Sequence, residues 1–69
     1  METSARNQLR GNVTAVHLGA VMAEIVVDIG GAQVVAAITK DSAERLGLAE
    51  GKEVTAIVKA SDVILGVAD

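Results

Sequence analysis

Through most of this chain an aliphatic residue recurs at every second position, and that period admits few folds. Val21, Ala23, Ile25, Val27 and Ile29 share one face of a run whose other face carries Met22, Glu24, Val26 and Asp28, the signature of a half-buried β-strand. The Gly30-Gly31 pair ends that run in a turn, after which Val34, Ala36 and Ile38 alternate with Val35, Ala37 and Thr39. Later, Val54, Ala56 and Val58 alternate with Thr55, Ile57 and Lys59. Leu9, Gly11, Val13, Ala15 and His17 mark a strand before Gly19, and Val63 and Leu65 mark a short last one. The remaining stretch predicts one short helix from Lys40 to Leu46. Thr39 or Asp41 can cap it, Glu44 stands in capping-box spacing from Asp41, and Gly47 is placed to stop it in the left-handed conformation.

The expected fold class is therefore all-β with one short helix. The order strand, strand, strand, helix, strand, strand is that of an OB-like five-stranded Greek-key barrel. With no repeat, linker or low-complexity run, residues 1–69 are expected to form a single domain.

A domain of this size buries only about 60% of its unfolded surface, so its stability needs an addition. The chain has no cysteine, which removes disulfides and thiolate metal sites, and a single His17 builds no metal site by itself. Association remains. It also fits the surplus of aliphatic residues: Val16, Met22, Val26, Val35, Ile57 and Ile64 lie on the second faces of strands, where a lone barrel has no use for them. A homo-oligomer is expected.

Composition also excludes classes of function. Six basic against nine acidic side chains give a net charge of −3, contrary to the basic face that nucleic acid requires. There is no Phe, Tyr or Trp on which an oligonucleotide-binding OB-fold could stack bases. No apolar run approaches the roughly 20 residues of a membrane helix, and the N-terminal residues lack a signal-peptide core, so a cytoplasmic protein without membrane contact is expected. No nucleophile and base pair or carboxylate dyad can be named, so an enzyme is not expected. Gly30-Gly31 is not followed by Gly-Lys-Ser/Thr and opens a strand, so it is a hairpin turn and not a phosphate loop.

Two short segments stand apart. Ser4-Ala5-Arg6-Asn7-Gln8-Leu9 and Lys59-Ala60-Ser61 each set a fixed cation beside a hydroxyl, and neither holds the carboxylates or histidines of a cation site. Arg6 offers a fork of N–H donors, Lys59 a point charge, Ser4 and Ser61 hydroxyls, and the Ala60 and Ser61 amides further donors. Such a set suits an oxyanion, and the local charge of Arg6, Arg10 and Lys59 reconciles that with an acidic chain. Taken singly these residues have plainer readings. Arg6 could pair with Glu2, Lys59 could guard a sheet edge, and the serines could serve turns.

Together, and with the β-rich stretch between them ending in Lys-Ala-Ser-x-Val-Ile-Leu, the two segments resemble the molbindins, the small molybdate- and tungstate-binding Mop proteins. The resemblance runs from about Thr3 to Val67. It implies an OB-like fold, reversible binding and intracellular storage of molybdate or tungstate, no organic cofactor, and a homohexamer arranged as a trimer of dimers with oxyanion sites at subunit interfaces. It also implies a further donor from the helix region of a neighbouring subunit; by spacing ahead of Lys-Ala-Ser that is Ser42, with Asp41 turned away as a cap. A second kind of site near a three-fold axis is implied as well, for which His17, Gly19 and Ala20 are the candidates. His17 has the plainer reading of a surface residue.

A donor-only site also discriminates. Molybdate carries no proton at neutral pH, whereas hydrogenphosphate brings one that would face a donor unsatisfied. Sulfate differs from molybdate mainly in size. The alternatives are a ligand-sensing regulatory subunit, which would need a partner surface or a DNA-binding domain, and the oligonucleotide-binding OB-fold.

Overall fold

The computed structural model describes residues 1–68 and places the alternating runs in one curled antiparallel sheet. The elements follow the order β1 (Asn7–Leu18), β2 (Met22–Asp28), β3 (Gln33–Thr39), α1 (Lys40–Arg45) and β4 (Glu53–Val58). In space the strands run β3-β2-β1-β4. The protein is thus mostly β with one short helix, and its sheet has four strands where five were expected. The missing one is the strand anticipated at Val63 and Leu65. After β4 the chain closes a 3-10 turn, Ala60–Asp62, and continues to residue 68 without joining the sheet. Alternation marks which faces a strand would show, but a strand exists only where an edge pairs with it.

The core lies on the concave face. Val13, Ala23, Ile25, Val27 and Ala43 are buried, with Val16, Ile29, Ala36, Ile38, Leu48 and Val54 packed against them. β2 and β3 follow the expected phase; β1 does not. Val13 pairs with Val27 but Ala15 with Val26, so Thr14 is the extra residue of a β-bulge. The bulge reverses the inward phase. Val16 now faces the core, and His17, expected on the Leu9–Val13 face, points outward. Of the second-face aliphatics, Met22, Val35, Ile57 and Ile64 are exposed and Val26 is half-buried, so the surplus remains except at Val16.

The β2–β3 connection depends on glycine. Gly30 and Gly31 take φ values of 89° and 92°, the two left-handed positions of a tight hairpin. The Ile29 amide donates to the Ala32 carbonyl at 2.9 Å, and the Gly30 amide to Asp28 Oδ1 at 2.8 Å.

Helix α1 starts and stops as its boundary residues dictate, with one correction. Thr39 is the N-cap, its hydroxyl accepting from the Ser42 amide at 3.1 Å; Asp41 lies inside the first turn and caps nothing. Thr39 takes the role because it stands three residues before the Ser42 amide, the reach an N-cap side chain has. At the other end Gly47 has φ 65°, and the Leu48 amide reaches back to Ala43 while that of Gly47 reaches Glu44, a Schellman closure. That closure turns Leu48 onto the core.

Candidate anion-binding site

Pairing of β1 with β4 brings the two terminal segments together. Their register runs from Asn12 opposite Glu53 to Asn7 opposite Val58. One step further sets Arg6 opposite Lys59, just where both strands end. Ser4, Ala5, Arg6, Lys59, Ala60 and Ser61 line one solvent-open concavity of about 490 Å³. Five of these were singled out from the sequence, and Ala5 lies between two of them.

Three backbone acceptors around the concavity are occupied. Gln8 Nε2 donates to the Ala5 carbonyl at 2.9 Å. In the following turn the Asp62 amide donates to the Lys59 carbonyl at 2.9 Å and that of Val63 to the Ala60 carbonyl at 3.3 Å. The first two amides of that turn, those of Ala60 and Ser61, have no acceptor within it, as at any helical N-terminus. Three of the six lining carbonyls, those of Ala5, Lys59 and Ala60, are thereby engaged, and among the described residues no carboxylate lines the concavity. Gln8 is a contributor that sequence reasoning missed. Its residue type carried no signal, since the role arises from a local side-chain contact with Ala5.

Electrostatics favour the same ligand. Among the described residues the one ion pair is Arg10–Glu53, at 3.2 Å between well-exposed side chains. Among the described residues neither Arg6 nor Lys59 has a carboxylate partner, and the alternative pairing of Arg6 with Glu2 is not made. Arg10 belongs elsewhere: it lines a separate concavity with Gly11, Asn12 and Glu53. Of the two arginines in the N-terminal region, Arg6 alone faces the donor-lined space.

Ser42 is not part of this concavity within one chain. It sits on α1, where its hydroxyl oxygen accepts from Thr39 Oγ1 at 2.8 Å and from an Arg45 guanidinium nitrogen at 3.4 Å, while its own O–H has no acceptor among the described residues. His17 and Gly19 line a shallow concavity with Leu18, Met22, Ala23, Glu24 and Ala37; Ala20 is exposed and not part of it. Among the described residues no cluster of His, Cys, Asp or Glu could hold a metal cation, and no helix is long and apolar enough to cross a membrane.

Known proteins place the chain in a defined setting. The family model for the TOBE domain matches residues 3–65. Molybdenum-pterin-binding protein 3 of Clostridium pasteurianum is 52% identical over 66 residues, 94% of this chain and 97% of the relative. Among solved structures, a molybdate-binding protein from Sporomusa ovata matches with a TM-score of 0.91 at 45% identity, over 97% of this chain and 100% of the other. The cytoplasmic molybdate-binding protein ModG, solved with molybdate bound, matches with a TM-score of 0.92 at 40% identity, over 99% of this chain and 49% of that one.

Proposed function

Since the chain belongs to the TOBE-domain family, among the small molybdenum-pterin-binding (Mop) proteins, we propose that it binds molybdate or tungstate reversibly and stores it, without catalysis, as a single cytoplasmic domain. The observation that carries this reading is the convergence of Ser4, Arg6, Lys59, Ala60 and Ser61 on one concavity that has no carboxylate in its lining. Arg6 spans two oxygens of the tetrahedral dianion, Lys59 neutralises charge, and the Ser4 and Ser61 hydroxyls with the Ala60 and Ser61 amides complete a donor shell.

One chain supplies an open half of such a shell. A bound dianion needs donors on its remaining side, and the free O–H of Ser42 in a neighbouring subunit supplies one. The functional unit is accordingly a homohexamer, a trimer of dimers with its sites at interfaces. The concavity at His17 and Gly19, with Ala20 beside it, serves as a second oxyanion site once several subunits surround it.

The relatives are described as binding either molybdate or a molybdenum-pterin. Free oxyanion is the better fit here. A pterin ring calls for an aromatic or broad apolar platform, and this chain has no aromatic residue while the concavity offers only Ala5 and Ala60 as apolar lining. Calorimetry with molybdate, tungstate, sulfate and phosphate tests the proposal. Tight binding of the first two, weak binding of sulfate and hardly any of phosphate is expected; phosphate binding as tightly as molybdate removes the donor-only site.

A further inference from the structure

We propose that Arg45 is a positioning residue that makes Ser42 a donor only and so turns the site against protonated oxyanions, a role that rests on the reading above in which Ser42 reaches the anion of a neighbouring subunit.

A serine hydroxyl has one proton to donate and two lone pairs with which to accept. Both lone pairs of Ser42 Oγ are taken within its own chain. Thr39 Oγ1 accepts from the Ser42 amide at 3.1 Å and gives its own proton to Ser42 Oγ at 2.8 Å. An Arg45 guanidinium nitrogen donates to the same oxygen at 3.4 Å, and a guanidinium has no acceptor with which to reverse that sense. What remains to Ser42 is its O–H.

Arg45 makes this contact in place of a more ordinary one. Asp41 stands four residues before it, the spacing of a helical ion pair, yet among the described residues the one salt bridge is Arg10–Glu53. The guanidinium lies on Ser42 instead, an exposed arginine reaching a half-buried serine. The helix requires Thr39 as its cap, but the Arg45 contact joins two side chains and satisfies no backbone group.

The consequence is chemical. A serine with a vacant lone pair can turn and accept the proton that hydrogenphosphate carries. With both lone pairs occupied it cannot, and the ligand's proton faces another donor unsatisfied. Molybdate and sulfate carry no proton at neutral pH, so the occupied lone pairs make no difference to them. Arg45 thus acts on selectivity through Ser42, without touching the anion.

The test compares ratios of affinity. Arg45→Met keeps the apolar stem and removes the donor, while Arg45→Ala removes both; the side chain is exposed, so both variants should fold. Molybdate and sulfate are measured by calorimetry and phosphate by its displacement of molybdate, at one pH and one salt concentration. Loss of a positive charge, or any loosening of α1, weakens all three ligands alike, so the ratios between them isolate the lone pair. The preference for molybdate over phosphate should fall about tenfold, the size of one unsatisfied donor. The preference for molybdate over sulfate should stay within about twofold. Arg45→Lys, which retains a donor, should hold the wild-type ratios, and Arg45→Met placed in a Ser42→Ala background should move neither ratio. An unchanged phosphate ratio in Arg45→Met and Arg45→Ala, or an equal change without the Ser42 hydroxyl, overturns the proposal. Either result in a protein whose wild type binds molybdate defeats the role of Arg45 alone, whereas a wild type that binds no molybdate defeats the oxyanion reading and this role with it.

Discussion

Arg6 and Lys59 lie far apart in the chain and become neighbours because the β1–β4 ladder ends between them. Each contributes a charged donor to the same space, and a charged hydrogen bond is worth roughly 1.5–3 kcal/mol. Arg6→Ala and Lys59→Ala should therefore each weaken molybdate binding about tenfold to a hundredfold or more in calorimetry. Arg10→Ala is the matched control. Its guanidinium pairs with Glu53 in solvent, so that substitution should leave affinity unchanged and alter stability by less than about 1 kcal/mol. Gln8 offers a subtler test, because its side-chain amide engages the Ala5 carbonyl beside the site. Gln8→Ala returns a free acceptor to a surface meant for an acceptor-rich anion, and a loss of affinity of about 1 kcal/mol is expected.

Among the elements, α1 depends most on its ends, since a helix of six residues has few internal hydrogen bonds. Thr39→Ala removes the cap and should cost about 1 kcal/mol in denaturant unfolding. Gly47→Ala puts a Cβ at φ 65° and should cost a similar amount, roughly 1 kcal/mol. The C-terminal boundary could be read from sequence because residue type dictates it, glycine where φ is positive; at the N-terminus residue type left Thr39 and Asp41 both open, and the position of the orphan Ser42 amide decides for Thr39. The Gly30-Gly31 hairpin was legible on the same ground. The bulge was not, because Thr14 is an ordinary strand residue and the irregularity resides in its pairing with β2. The absent fifth strand escaped notice for a related reason, Val63 and Leu65 having the right period but no edge. Of the proposed site, the terminal segments were legible because each sets a cation beside a hydroxyl without a carboxylate, and because together they resemble the molbindin segments. The engaged carbonyls were not, being made by backbone geometry and by Gln8.

For the molecule as a whole, the buried core is small and five large aliphatic residues of the sheet and tail, Leu18, Val35, Ile64, Leu65 and Val67, are more than half exposed. A chain stabilised by covering such surface in an assembly has a stability that depends on its own concentration. The melting temperature should accordingly rise across a hundredfold increase in protein concentration. Molybdate should raise it further, by an increment that follows ligand concentration over Kd. A melting temperature independent of protein concentration would mean that the single sheet is sufficient. Salt provides a separate check at this scale, since Arg6 and Lys59 face solvent: molybdate affinity should fall between 50 mM and 500 mM sodium chloride, roughly the range over which the Debye length shortens from about 14 Å to 4 Å.

The bulge at Thr14 makes β1 two half-strands written in opposite frames along one backbone, the first paired mainly with β4 and the second with β2. Deleting Thr14 would leave the Val13–Val27 and Ala15–Val26 pairs consecutive, a regular ladder in which Val13 and Val16 still face inward and His17 outward. The bulge is thus a stitch of slack that the strand can lose. A residue taken from the regular ladder of β2, such as Val26, has no such slack, and every side chain on one side of the gap would change faces. Comparative unfolding of the two deletion variants should find the Val26 deletion the more damaging by far.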